Sequence, residues 1–224
     1  MTRSLDASLD ATQVRRIYDR LGRRYDLLRP AEETPKRAAL ALLAVRPGER
    51  VLEVGVGTGR VLVQLARAAA EGASPPVNGL DLSPTMINLA NEQARAAGLA
   101  HAVELRVGDA RALPYGDASF DAAFSSYVLD LLPAVEIARA LGELRRVLRP
   151  GGRLALVALA PGTGLGAHLF TSAYSALYRV KPAWLAGCRP IELEPLVLDA
   201  GFVVRARQQW FRIHPSEVVL AERP

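Results

Sequence analysis

VLEVGVGTGR (residues 51–60) places Gly55, Gly57 and Gly59 within five positions, directly behind an apolar run. Glycine in the interior of a helix or strand costs roughly 0.5–1 kcal/mol relative to alanine, so three so close together mark a turn. The apolar run reads as a strand, and the residues from 59 onward read as a helix. In open α/β sheets, ligands bind outside the carboxyl ends of the strands. Bare amides at such a turn, followed by a helix N-terminus, favour a negative or polar ligand group. The alternative is a glycine-rich turn with no ligand.

Outward from this turn, one rhythm repeats. Short apolar runs fall at 51–54, 77–81, 103–107, 120–124 and 153–158, and helical stretches at 59–70, 84–97 and 134–148. Strands alternating with helices predict an α/β, doubly wound, mostly parallel sheet with helices on both faces. Upstream, Val14, Ile17, Leu21 and Leu28 recur at helical spacing, with Tyr18 and Tyr25 alongside, which predicts a helix over 9–29. A second helix is expected over 35–45, stopped by RPGE (46–49). Near the end, DAGFVVRARQQW (199–210) and PSEVVLAE (215–222) read as two strands with no helix between them, an antiparallel C-terminal hairpin. No linker divides the chain, so 1–224 reads as a single domain, with 160–190 as its largest irregular insertion.

Composition sets outer bounds. Half of the 224 residues are hydrophobic, enough for a substantial core. No apolar run approaches the roughly 18 residues of a spanning helix. The first residues, MTRSLDASLDATQVRR, lack an apolar signal region, so a cytoplasmic protein is expected. The one cysteine, Cys188, excludes an internal disulfide and a cysteine-based metal cluster; no metal is expected. The net charge of +5 comes from scattered arginines and permits anionic partners without requiring nucleic acid.

The dinucleotide fingerprint G-x-G-x-x-G would need its third glycine at position 60, which is Arg60, and no G-K-[ST] follows to make a Walker loop. The pattern is E-x-G-x-G-x-G, with Glu53 ahead of the glycines. Asp81 ends the next strand in GLDLSPTM (79–86), where a carboxylate can accept both hydroxyls of a ribose. Asp109 ends the third strand in LRVGDARALP (105–114), where it can accept from an adenine amino group while the Ala110 amide donates to a ring nitrogen. Three acids and one glycine loop suit a ligand with a cationic end, a ribose and an adenine, and no phosphate.

These stretches resemble the class I S-adenosylmethionine-dependent methyltransferases. VLEVGVGTGR resembles their first motif and GLDLSPTMINLA (79–90) their second. VGDARALPYGDASFDAAFSS (107–126) resembles the segment around their third and fourth strands, and LRRVLRPGGRLALVAL (144–159) the turn into their fifth. The resemblance implies a Rossmann-like seven-stranded sheet whose last strand is antiparallel. It implies S-adenosylmethionine as cofactor, S-adenosylhomocysteine as product, and Glu53, Gly55, Gly57, Gly59, Asp81, Leu82, Asp109, Ala110 and Ser125 at the cofactor. VRRIYDRLGRRYDLLR (14–29) and CRPIELEPLVLDAGF (188–202) are similar to quinone-biosynthesis C-methyltransferases and bacterial phosphatidylethanolamine N-methyltransferases. There a tyrosine of the N-terminal region closes over the cofactor. That makes 9–29 a helical lid, with Tyr25 the better candidate and Tyr18 the poorer.

Absences narrow the acceptor. The segment after the fourth strand is SSYVLD (125–130), not the Asn/Asp-Pro-Pro-aromatic motif of amino-directed nucleic-acid methyltransferases, and no cysteine nucleophile stands there. No aromatic and basic stripe appears of the kind that guides single-stranded nucleic acid. A small-molecule or lipid-like acceptor is expected, a quinone precursor or phospholipid headgroup among them. Methyl transfer depends chiefly on alignment, and a base is needed only if the acceptor must lose a proton. Candidates for catalysis are His168, Tyr174 and Tyr127; His101 reads as a surface residue and His214 as part of the hairpin turn. In the insertion, Phe170, Tyr174 and Tyr178 at helical spacing read as a substrate wall. Arginines 15, 16, 20, 23 and 24 form either a basic face for peripheral contact with anionic lipid or a solvated face relieved by Asp19 and Asp26. Two other functions stay in view: a non-catalytic binding module, and a nicotinamide dehydrogenase, which Arg60 and the lack of Tyr-x-x-x-Lys disfavour.

Overall fold

The computed structural model describes residues 9–70, 74–162, 165–185, 187–211 and 214–224, apart from the side chains of 27–31, 165, 167–169, 182 and 183. Strands β1 (Val51–Val54), β2 (Val77–Asp81), β3 (Val103–Val107), β4 (Phe120–Ser126), β5 (Leu148–Leu159), β6 (Val203–Phe211) and β7 (Pro215–Glu222) form one sheet. Its order is β3-β2-β1-β4-β5-β7-β6. The five strands from β3 to β5 are parallel, and β7 runs antiparallel to both β5 and β6.

All four residues of β1 are buried, as expected for a central parallel strand covered on both faces. Leu52 and Val54 enter one core with Leu141 and Leu144 of α5 (Ala134–Val147) and Val197 of α7 (Leu193–Asp199). Val51 enters the other, with Ala39 and Leu43 of α2 (Arg29–Leu43) and Leu62 and Leu65 of α3 (Arg60–Ala69). The period of two along the strand makes this division. β5 is longer than the expected 153–158 because its pairing with β4 jumps from Phe120–Leu148 to Ala122–Arg153, absorbing the Pro150-Gly151-Gly152 turn as a bulge.

The expected helix over 9–29 is broken. α1 (Ala11–Leu21) opens on a capping box between Asp10 and Gln13 and stops at Gly22, at φ 47° and ψ −131°. A 3₁₀ segment (Gly22–Leu28) follows, and α2 then starts at Arg29 and carries Pro35 inside it, six residues earlier than the sequence suggests. The insertion forms α6 (Leu165–Val180). Among the described residues no helix is long and apolar enough to cross a membrane, and no group of acids, histidines and cysteines could hold a metal.

The strand order reverses between β1 and β4. Ligands of doubly wound sheets bind at such a switch point. The turn 55–59, the end of β2, the loop after β3 and the end of β4 all open on this edge.

Candidate functional site

A cavity of about 460 Å³ lies at the carboxyl ends of the strands. Its floor is Gly55, Gly57, Asp81, Leu82, Asp109 and Ala110, and its roof includes Val14, Arg15 and Tyr18 of α1 and Tyr25. Leu131, Leu132 and Val135 form an apolar rim. Sequence reasoning missed that rim, although the apolar LDLLP (129–133) directly after β4 was a usable signal.

The glycines serve different neighbours. A Cβ on Gly55 would lie 2.2 Å from Val128 Cγ2, in the cavity wall. A Cβ on Gly57 would meet only the Tyr25 ring, at an ordinary 3.7 Å, so this glycine is required by its φ of 51°. Gly59 does not line the cavity: a Cβ there would lie 2.6 Å from the Cα of Ala90 on α4 (Pro84–Ala96). It lets α3 pack against α4, and a ligand is not what excludes its side chain.

Asp81 is held from both sides: Gly57 N–H donates to Oδ2 and Ser83 N–H to Oδ1, each at 2.9 Å. Burial raises its pKa while these amides pull the other way. Ser83 caps α4 through the Met86 N–H and donates its hydroxyl to Asp19 of the lid. Asp109 is gripped by Arg111, with Nη2 to Oδ2 at 2.6 Å and Nε to Oδ1 at 2.9 Å. This guanidinium holds the Asp109 carboxyl below the usual range. An adenine amino group would therefore share Asp109 with Arg111, which the sequence reading did not anticipate.

Glu53 faces a second, smaller cavity behind the glycine turn, together with Glu32, Lys36 and Arg60. It is buried, its Oε2 has no hydrogen-bond partner among the described residues, and burial pushes its pKa well up against the opposing charge of Lys36. Tyr25 lines both cavities; its phenol donates to Glu32 at 3.0 Å, and Lys36 Nζ donates to the same Glu32 oxygen at 2.6 Å. Ser125 lines neither, since its buried hydroxyl donates to Val54 O; the next residue, Ser126, lines both.

The expected acceptor wall is elsewhere. Phe170, Tyr174 and Tyr178 do not line the cavity. Tyr178 is buried, Tyr174 donates to Cys188 O at 3.1 Å, and Phe170 packs on Tyr174 and Phe211. The aromatic stripe of α6 faces the protein, and helical spacing alone does not reveal which way a stripe faces. The side chain of His168 lies outside the described residues. Tyr127 does line the cavity, in a left-handed conformation at φ 55°.

Around the glycine turn stand two strand-end acids of the larger cavity, Asp81 and Asp109, and, facing the smaller one, the buried Glu53, whose Oε2 is unpartnered among the described residues. Residues 51–152 match the family described as a methyltransferase domain. The central stretch of the chain is therefore similar to methyltransferase domains. The chain is 38% identical over 125 residues to phosphatidylethanolamine N-methyltransferase of Cereibacter sphaeroides, covering 56% of the chain and 57% of that protein. It is 37% identical over 122 residues to 2-phytyl-1,4-naphtoquinone methyltransferase of Synechococcus elongatus, covering 54% of the chain and 51% of the relative. The matched stretch thus spans about half the length of these relatives. A SAM-dependent methyltransferase structure from Methanosarcina mazei superposes with a TM-score of 0.66 at 23% identity, over 80% of this chain and 94% of the other, and shares the class I fold.

Proposed function

We propose that this protein moves a methyl group from S-adenosylmethionine to a small or lipid-like acceptor, with a quinol ring or a phospholipid headgroup as the leading candidates. The observation that carries this is the two-ended character of the cleft, with acids at the strand ends and an apolar rim of Leu131, Leu132 and Val135, roofed by α1 and Tyr25. Asp81 would hold the ribose, Glu53 the ammonium end, and the Ala110 amide with Asp109 the adenine. The donor, once bound, supplies a sulfonium-activated methyl group. The protein's own part is to align, to desolvate and to exclude water with the lid. The names of the quinone and phospholipid relatives support these two acceptor classes.

The test is release of S-adenosylhomocysteine with either 2-phytyl-1,4-naphthoquinol in detergent or phosphatidylethanolamine vesicles as acceptor. Calorimetry with S-adenosylmethionine and with NAD accompanies it. Donor binding with no product from any acceptor would favour a non-catalytic module; NAD binding in its place would favour a dehydrogenase.

A further inference from the structure

We propose that Tyr127, Ser216 and His214 form a proton relay leaving the acceptor end of the cleft, with Tyr127 the catalytic residue and the other two acting through it. The inference rests on the methyl-transfer function proposed above. Tyr127 follows β4 and lines the cavity. Its phenol lies 3.0 Å from Ser216 Oγ on β7, and that hydroxyl lies 3.1 Å from His214 Nδ1 in the turn between β6 and β7. The imidazole meets the Tyr127 ring edge-on, at 5.9 Å and 85°. Two hydroxyls in series can each donate and accept, and an imidazole can end such a chain on either tautomer.

Two further observations favour transfer over simple packing. First, Tyr127 is a bulky residue at positive φ, a conformation that costs on the order of 1–3 kcal/mol and gathers at functional sites. Its N–H to Val157 O, at 2.7 Å, helps to hold it there. Second, three other acids of the cavity already carry partners: Asp81 accepts two backbone amides, Asp109 is gripped by Arg111, and Asp10 caps α1. Glu136, by contrast, lies 3.7 Å from Arg111 with a buried Oε2 that accepts no hydrogen bond among the described residues. Methylation of a quinol carbon or an amine nitrogen releases one proton per turnover, and Tyr127 is a lining residue whose hydroxyl continues through hydrogen-bonded neighbours to an imidazole.

The step balances. As the acceptor bonds to the methyl group, the sulfur–methyl bond breaks and its electron pair stays on sulfur. The acceptor's proton goes to Tyr127 Oη, the phenol proton to Ser216 Oγ, and the serine proton to His214 Nδ1. The positive charge that began on sulfur ends on the imidazolium. Burial raises the Tyr127 phenol beyond the ordinary range, so no resting phenolate forms and the protons move together. Burial lowers His214, which is therefore neutral and able to accept near pH 7. Glu32 of α2 faces His214 and opposes that lowering. Around Tyr127 stand Lys36, 5.4 Å from the ring centroid, and the titratable groups of Glu32, Tyr25, Asp130 and Cys188.

Tyr127→Phe, Ser216→Ala and His214→Gln should each lower kcat by roughly 100-fold, the lower end of general-base effects, with either acceptor named above. The donor's Kd should be unchanged. Wild-type kcat should fall on the acid side as His214 takes its proton, and Ser216→Ala should lose that limb. Nitrogen-detected NMR of the protein alone at pH 7.5 should show Nδ1 of His214 unprotonated, with its titration moved by Ser216→Ala. Wild-type turnover in the Ser216→Ala and His214→Gln variants, or a protonated Nδ1 in the protein alone, would overturn the relay. Absence of product from wild type with both acceptors would instead count against the methyl-transfer function, while the NMR still judges the relay. Ser216→Ala removes one hydroxyl, and an unchanged donor Kd certifies its fold.

Discussion

Asp26 of the lid accepts from Arg60 Nε at 3.2 Å and Nη2 at 3.1 Å, and from the Thr58 hydroxyl at 2.9 Å. The residue that breaks the dinucleotide fingerprint thus joins Thr58 in tying the lid to the glycine turn and the start of α3. Both partners are a third or more exposed, and pairs of that kind are worth about 0–1 kcal/mol. Arg60→Ala should weaken S-adenosylmethionine binding about threefold and increase proteolysis within 11–28, with the melting temperature nearly unchanged. Equal affinity and equal proteolysis would show that the pair holds nothing.

Asp81→Asn should weaken donor binding at least tenfold, since hydrogen bonds to a charged group are worth about 1.5–3 kcal/mol. Because burial raises the pKa of Asp81, the carboxylate is lost earlier on acidification than in an exposed aspartate. Donor affinity should therefore fall as the pH drops through that raised value. Calorimetry across pH reads both effects, and a flat profile for wild type would remove Asp81 from the donor site.

Gly57→Ala and Gly59→Ala separate binding from packing. At Gly57 the added Cβ has room but sits at positive φ beside the cleft, so donor affinity should drop while the fold persists. At Gly59 the Cβ meets the Ala90 backbone, so α3 and α4 must part and stability should fall by about 1–3 kcal/mol. Chemical denaturation and calorimetry on the two variants should give opposite patterns.

Asp130 is fully buried and accepts from Leu159 N–H at 3.1 Å; burial pushes its pKa from 3.8 to about 7. A carboxyl raised by folding stabilises the fold fully below its unfolded value and loses that contribution as the pH climbs through the folded one. Asp130→Asn keeps an acceptor for Leu159 and cannot ionise. Its stability relative to wild type should be greater at pH 8.5 than at pH 5 by about 2–3 kcal/mol, at 1.36 kcal/mol per pKa unit. A difference independent of pH would contradict the raised value.

The strands 51–54, 77–81 and 103–107 were readable to the residue, because each apolar run ends at a glycine or an acid where the sheet edge begins. The lid was harder. The apolar spacing of 14–28 continues past Gly22, and only the backbone angle there shows that the chain bends. Pro35 reads as a helix start because proline suits the first turn, yet α2 already runs through the six residues before it. In the site, Asp81 and Asp109 were legible as strand-end acids. Arg111, two residues from Asp109, was not, because its partner depends on how the loop after β3 closes. Gly59 and Ser125 fit the motif by position, but their neighbours, Ala90 and Val54 O, come from strands and helices far along the chain.

The family-defining stretch ends at 152 and begins at 51, whereas the lid precedes it and α6 and the β6–β7 turn follow it. α1 has no buried residue and reaches the sheet domain in part through polar bridges, Asp19 to Ser83 among them. Change in that roof therefore costs the core almost nothing. The cleft is thus composite: its floor is built within the stretch 51–152, and its roof comes from a segment that can be rewritten without repacking the sheet.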